Sequence, residues 1–432
     1  MLNKYLGTSV CLYMNYFVHG MGAIILGLNI DYLAAQFNPE LAYLFSITKD
    51  SLTPEQLGLV GEAKQSVYNV MMGLGVGRLL VLFIMGTLSD TFGRKPFIVL
   101  GALFYIGFLL GILVSPNVQI AFMFAVLGGI ANSTLDAGTY PALMEAFPKS
   151  PGSASILIKA AIAAGQSVLP IIVGIIMANH GYFGWSFILC CIILGLNALI
   201  VLKMPFPNYK VTAKEKEKDL QTLENETPTL KQEANFFIEG ICFIVIGFTS
   251  TATFYLVSSC LKDFSQTVAG MDSSGAIQAF SSYGIGTLAS VFLTSILVKS
   301  LVRPIYIVVI YPLFSMLMLI ILYSHPTPIM CIIGGFVLGF TAAGGVLQLA
   351  LTTMAEFFPS GKGKVLGIFF TSSSIATTVI PFFIGWISTN FGLRYVMLSD
   401  AIIAGLGTLL AIVVLMRYQK IFNFPKRVDK VQ

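Results

Sequence analysis

Gly86-Thr87-Leu88-Ser89-Asp90-Thr91-Phe92-Gly93-Arg94-Lys95-Pro96 is a short charged stretch between two long apolar runs. Before it, residues 67–88 carry one charge, Arg78; after it, residues 96–114 carry none. Each run is long enough to cross about 30 Å of hydrocarbon as a helix. The stretch therefore reads as a tight turn between two membrane spans, with Asp90, Arg94 and Lys95 where the chain leaves the lipid. Gly86 and Gly93 permit close packing and a sharp reversal, and Pro96 suits the first turn of the next helix, where its missing N–H costs nothing.

The rest of the 432 residues has the same character. Apolar residues make up 56% and charged residues 10%, against about 25% charged in soluble globular chains, and the mean hydropathy is +0.85. These values exclude a soluble globule and predict an all-α, multi-pass membrane protein embedded in a lipid bilayer. The net charge of +5 lies in alternate loops, so it reports orientation and not affinity for nucleic acid. Cys11, Cys190, Cys191, Cys242, Cys260 and Cys331 are scattered through apolar runs without CxxC spacing or paired histidines. They imply no disulfide framework and no metal site, and no cofactor is expected. Only Lys4 precedes the first apolar run, and no small-residue cleavage site comes before Asn29 and Asp31, which reads as an uncleaved first helix.

Hydropathy windows give twelve spans near 7–32, 65–88, 96–115, 118–147, 154–178, 182–203, 236–260, 275–299, 304–323, 327–356, 363–388 and 392–416. A longer polar connection from Ala35 to Lys64 separates the first two. Between the sixth and seventh lies a strongly charged segment containing Lys214-Glu215-Lys216-Glu217-Lys218-Asp219, read as a solvated linker or short surface helix. The organisation expected is a six-helix bundle over 1–203, a charged cytoplasmic linker over 204–235, a second six-helix bundle over 236–417 and a cytoplasmic tail over 418–432. Nineteen Lys and Arg residues fall in the N-terminus, the even-numbered loops and the C-terminus, against Lys49, Lys64, Lys262 and Arg394 in the odd-numbered loops. Positive residues stay on the cytoplasmic side, so both termini are expected in the cytoplasm of a cell-membrane protein.

Sliding the second half over the first exposes an internal repeat. Gly73, Gly75, Gly128, Glu145, Phe147, Pro148, Pro170 and Gly174 fall on Gly284, Gly286, Gly339, Glu356, Phe358, Pro359, Pro381 and Gly385 in one frame. Most are residues that set backbone shape. Six spans separate the copies, so both halves enter the membrane the same way up.

The pattern GxLSDxxGRKP over 86–96 closely resembles the loop signature between the second and third helices of the major facilitator superfamily of transporters. By that resemblance the fold is two parallel-repeat six-helix bundles with a cavity between them. Gly86, Asp90, Gly93 and Arg94 would form a cytoplasmic gate, the aspartate and arginine latching against a neighbouring helix of the same half. The string Thr134-Leu135-Asp136-Ala137-Gly138-Thr139-Tyr140-Pro141 resembles the fourth helix of the fucose–proton symporters, although Tyr140 stands where that group has asparagine. That match implies that Asp136 is the proton carrier.

Ionisable residues deep in a span are expensive and point to function. Asp136 lies nine residues before Glu145, about 13–14 Å along a helix. Asn132 and Ser133 lie one turn away, and Thr139 and Tyr140 follow. A carboxyl there fits coupling, because it can be neutral when a cavity closes and ionised when it opens. It could equally be the constant partner of Arg78 or Lys159, or touch the solute directly. Arg78 could bind a carboxylate or phosphate through its fork of donors, and His19, with Asn15 one turn earlier, could relay a proton or simply pack. By the superfamily resemblance the first, fourth, seventh and tenth spans face the cavity. They place Asn15, His19, Asn132, Ser133, Asp136, Thr249, Ser250, Thr251, Gln348 and Thr352 near it. Glu239 and Asp400 lie nearer span ends and read as interfacial.

No GxSxG, HExxH or GxxxxGK[ST] occurs, so neither an enzyme nor an ATP-driven pump is expected. The expected function is proton-coupled symport of a small polar solute, such as a sugar or organic acid, by a monomer. One alternative is a drug–proton antiporter, against which Gly165-Gln166-Ser167-Val168-Leu169-Pro170 lacks that group's Gly-Pro pair. Another is a receptor or scaffold on the same fold that transports nothing.

Overall fold

In hydrocarbon a backbone has no water to bond, so each segment must satisfy its own N–H and C=O groups, and helices result. The computed structural model describes residues 4–47, 51–147, 151–207, 234–300, 302–358 and 362–422. The first half contains α1 (Leu6–Leu28), α2 (Ile30–Phe37), α3 (Pro54–Phe92), α4 (Arg94–Val114), α5 (Val118–Ala146), α6 (Pro151–Ala178) and α7 (Trp185–Lys203). The second contains α8 (Ile241–Thr267), α9 (Ser273–Ser300), α10 (Pro304–Ser324), α11 (Pro328–Leu338), α12 (Val346–Phe357), α13 (Lys362–Asn390) and α14 (Leu393–Ile421). Among the described residues eleven helical stretches are long and apolar enough to cross a membrane, and α3, bent by 53° near residue 83, makes twelve. The charged run from Lys214 to Asp219, Lys149 and the last ten residues lie outside the described residues.

Several boundaries differ from the sequence reading for local reasons. The polar connection from Ala35 to Lys64 is largely helical: α2 and a short 3-10 turn (Pro39–Ser46) occupy its start, and α3 begins at Pro54. Thr53 and Gln56 close a capping box there, each side chain taking the other residue's backbone N–H. Hydropathy cannot see a helix that continues past the lipid. Likewise the charged turn shrinks to one residue. α3 runs through Asp90 to Phe92 and α4 starts at Arg94, with Gly93 at φ 91° between them. Gly86 sits inside α3 with open space where a Cβ would point, so the close packing expected of it is absent. α14 continues to Ile421, four residues into the expected tail.

The tenth span is broken. After α11 comes a wide π-type turn, Gly339–Ala343, then Gly344 and Gly345, the latter at φ 109°. That conformation suits glycine alone.

The halves meet along α3 with α13, α6 with α9, and α1 with α8. Small residues permit the approach: Gly75 meets Thr378, Gly284 meets Ser167, and Gly27 meets the backbone of Ser259. The contact of Gly27 with Ser259, that of Gly385 on Gln65, and the bond donated by Thr389 to the Gly61 carbonyl lie toward one end of the molecule, the far end. This far end lies opposite Gly93, Glu145, the start of α1 and the end of α14.

Candidate functional site

Asp136 sits on α5 at mid-bundle with two partners. The Tyr16 hydroxyl of α1 donates to Oδ1, and Arg78 Nη2 of α3 lies 3.2 Å from Oδ2. The Asp136 and Arg78 side chains keep 20% and 19% exposure, so the pair is only partly buried among the helices. Arg78 is fixed from behind, where Ser133 donates to its carbonyl. Its Nε is buried without a partner among the described residues. Lys159 of α6 is half-buried and close enough to feel both charges.

Aromatic rings frame the pair. His19 meets Tyr16 edge-on at 5.7 Å and Tyr105 at 5.6 Å, while Tyr140 meets Tyr16 at 5.8 Å. His19 Nδ1 has no partner among the described residues. The cluster therefore holds two cationic side chains against one carboxylate, and it is richer in donors than in acceptors. An acceptor-rich or anionic solute complements it.

The structure thus draws Asp136, Arg78, Lys159 and His19 together, with Ser133 behind Arg78 and Asn132 half-buried one turn before Asp136. Asn15 is not part of the cluster. It is buried against α7, where Asn197 Nδ2 donates to its Oδ1 at 2.7 Å. Tyr16, the residue after it, occupies the face expected of Asn15. The sequence signal was its position three residues before His19, which puts both on one helix stripe.

Gln348 and Thr352 lie one turn apart on α12 of the other bundle, Gln348 half-buried and Thr352 exposed. Thr249 and Thr251 bond within their own bundle, to the Ile246 carbonyl and to Ser373. With Ser250 and Thr253, Thr249 lines a small cavity inside the second bundle.

At the end that carries Gly93, Arg94 is the centre of a clasp. Its guanidinium lies 3.1 Å from Glu145 of α5, 2.6 Å from Asp90 and 3.2 Å from Ser89 Oγ. Ser89 in turn donates to the Ala137 carbonyl, tying the end of α3 to the helix that carries Asp136. Arg94 is 9% exposed and Glu145 2%, whereas Asp90 is 71% exposed. The buried half of the clasp is therefore Glu145, which the sequence reading noted only as a repeat position. Its repeat mate Glu356 accepts from Tyr418 at 3.0 Å. Burial pushes that carboxyl up, and Tyr418 and Arg303 oppose the push. Glu239 and Asp400, expected near the interface, are both fully buried. Glu239 pairs with Arg417 and accepts from the Asn235 backbone N–H.

The far end carries a second charge cluster that hydropathy did not single out. Lys64 of α3 lies 2.9 Å from Asp31 of its own bundle and 2.5 Å from Asp263 of α8 in the other. Lys262 donates to the Leu28 carbonyl at 2.7 Å and lies 3.7 Å from Asp31. Charges and backbone thus cross between the bundles on the side away from the clasp.

A family model described as Major Facilitator Superfamily matches residues 12–340 and 240–420. The chain is 40% identical over 420 residues to Inner membrane transport protein YdiM of Escherichia coli K12, covering 97% of this chain and 96% of that one. It is 36% identical over 420 residues to Inner membrane transport protein YdiN of the same organism, covering 96% and 91%. Among solved structures, that of the D-xylose–proton symporter superposes with a TM-score of 0.72 at 15% identity, over 95% of this chain and 97% of that one.

Proposed function

We propose that this chain, which belongs to the major facilitator superfamily, is a proton-coupled symporter of a small polar solute, a sugar or an organic acid, in the cell membrane. The observation that carries this reading is the Tyr16–Asp136–Arg78 arrangement, an intramembrane carboxyl that is paired and not fully buried by the packed helices. The local likeness of residues 134–141 to fucose–proton symporters and the overall likeness to a D-xylose–proton symporter support it.

Coupling follows from competition for Arg78. While Asp136 is ionised it holds the guanidinium, and a solute must displace a carboxylate to bind there. Once a proton neutralises Asp136, the attraction weakens and the fork of Arg78 donors is released toward the solute. Proton and solute then favour the same state, which is what positive coupling requires. Lys159 adds a second positive charge, so the site favours an acid over a neutral sugar. On this reading Tyr16, hydrogen-bonded to Asp136, and His19 beside it would relay the proton.

The predominance of Lys and Arg in the N-terminus, the even-numbered loops and the C-terminus supports cytoplasmic termini. The far end is then extracellular, closed by Lys64, Asp31 and Asp263. The clasp of Arg94, Glu145 and Asp90 is then cytoplasmic. Alternating access follows when the far-end contacts part and the bundles rock about the midplane site.

The test is gradient-driven uptake in liposomes containing the purified protein, using neutral sugars, hydroxy acids and cationic drugs. An inward proton gradient is expected to drive accumulation of one solute. Asp136→Asn is expected to keep downhill exchange of that solute and lose the accumulation. Solute movement against the proton flux would mean antiport, and unaltered accumulation by the variant would remove Asp136 from coupling.

A further inference from the structure

Asp400 on α14 is fully buried, and neither carboxyl oxygen has a hydrogen-bond partner among the described residues. No charged side chain among those residues acts on it. The titratable groups that face it are Cys260 of α8 and Tyr283 of α9, and both are neutral in their ordinary forms. The hydroxyl nearest to relieving it belongs to Thr253. A bare carboxylate in such a place is strongly disfavoured, whereas a carboxylic acid, neutral and able to donate, is not.

Near it lies a small cavity, which Asp400 does not itself line. Thr253 and Ala404, the latter one turn beyond Asp400, line a cavity of about 10 Å³ with Thr249, Ser250, Ser315 and Thr341, room for a single water held by hydroxyls. One wall of this cavity is the broken tenth span: Thr341 and Ala342 lie in the π-type turn, and Val346 opens α12 just after Gly345. A break with wide hydrogen bonding and a left-handed glycine is where such a span can flex.

We propose that Asp400 is a second proton-binding site, held in the C-terminal bundle and exchanging through the hydroxyl-lined cavity when the Gly339–Gly345 break moves. It stands apart from the Asp136 cluster in every respect that matters: other bundle, no cation, no exposure. A carrier with both sites binds two protons where the paired carboxyl alone would bind one. The inference does not depend on which solute is carried, or on whether one is.

Infrared spectroscopy of the full-length protein in lipid nanodiscs tests it. At near-neutral pH the wild type is expected to show a protonated-carboxyl C=O band that Asp400→Asn removes and Asp136→Asn leaves in place. Asp400→Glu, which retains an acid if the asparagine variant fails to fold, is expected to move the band without abolishing it. Transfer to D2O is expected to shift the band, and raising the pH to bleach it. The proposal is overturned if Asp400→Asn, or Asp400→Glu where the first is unstable, leaves the band unaltered. It is also overturned if the band neither exchanges nor bleaches, which would make Asp400 a locked structural acid. Loss of the band in Asp136→Asn alone would assign it to the first site and equally refute the second.

Discussion

Lys64 Nζ lies 2.5 Å from Asp263 and 2.9 Å from Asp31, so one ammonium is shared between a carboxylate of its own bundle and one of the other. Lys64 is 13% exposed and Asp263 4%, which places the cross-bundle pair out of reach of most solvent screening. Parting the bundles at this end must separate that pair and return both charges to water.

Removing Lys64 leaves Asp31 and Asp263 facing each other with only Lys262 near. Truncating one partner of a fully buried pair costs about 3–5 kcal/mol, and the partial exposure here lowers that figure. Lys64→Gln is expected to shift the population toward a parted far end by at least tenfold, about 1.4 kcal/mol. Spin-label distances across the far end, between helices α2 and α9, report it. Unaltered distances would show that the apolar and glycine contacts alone keep this end shut.

The same cluster has a pH signature. Burial by itself would raise the Asp31 carboxyl, but Lys64 and Lys262 outweigh it and hold it at about 2. A depressed carboxyl contributes its full stabilisation above its unfolded value of about 4 and loses it as the pH falls through about 2. Far-end closure is therefore expected to be constant between about pH 5 and 8 and to loosen only in strong acid. Spin-label distances that lengthen between about pH 7 and 5 would contradict this assignment.

Twelve spans, their order and the parallel repeat were legible because apolar length and Gly/Pro placement are local properties of the chain. Asp136 and Arg78 were legible for the same reason, as charges inside apolar runs. Their meeting, and the choice of Tyr16 over Asn15 as the α1 partner, depend on helix rotation, which a nearly uniform apolar surface leaves unmarked. Lys64 and Asp31 escaped because they sit where apolar windows fade. The burial of Asp400 was not legible because depth along a helix says nothing about burial against neighbouring helices.

At the other end the two carboxylates around Arg94 are expected to be unequal. Glu145 is buried and Asp90 is exposed. Glu145→Gln removes the buried one of the two carboxylates on Arg94 and is expected to cost about 2–4 kcal/mol, toward the range for breaking buried pairs. Asp90→Asn removes a solvated helix pair worth about 0–1 kcal/mol. Thermal unfolding of the two variants in detergent separates them. Equal losses would mean that Asp90 is drawn inside in another state of the protein.

On the proposed reading Lys159 sets what kind of solute the central site prefers. With Asp136 ionised, Arg78 and Lys159 leave the cluster one positive charge in surplus, and once Asp136 takes a proton the surplus rises to two. An acid supplies the missing negative charge, whereas a neutral sugar leaves both cations dehydrated without compensation. A hydrogen bond to a charged group contributes about 1.5–3 kcal/mol. Lys159→Gln is therefore expected to raise KM for a carboxylate-bearing solute by roughly 10- to 100-fold with little change in kcat. For a neutral analogue of the same skeleton, such as glucose against gluconate, the variant is expected to change KM by less than about threefold. Initial rates of uptake of matched acid and neutral pairs into liposomes make the comparison. Unaltered KM for both members would place Lys159 outside the solute's path and return the acid preference to Arg78 alone.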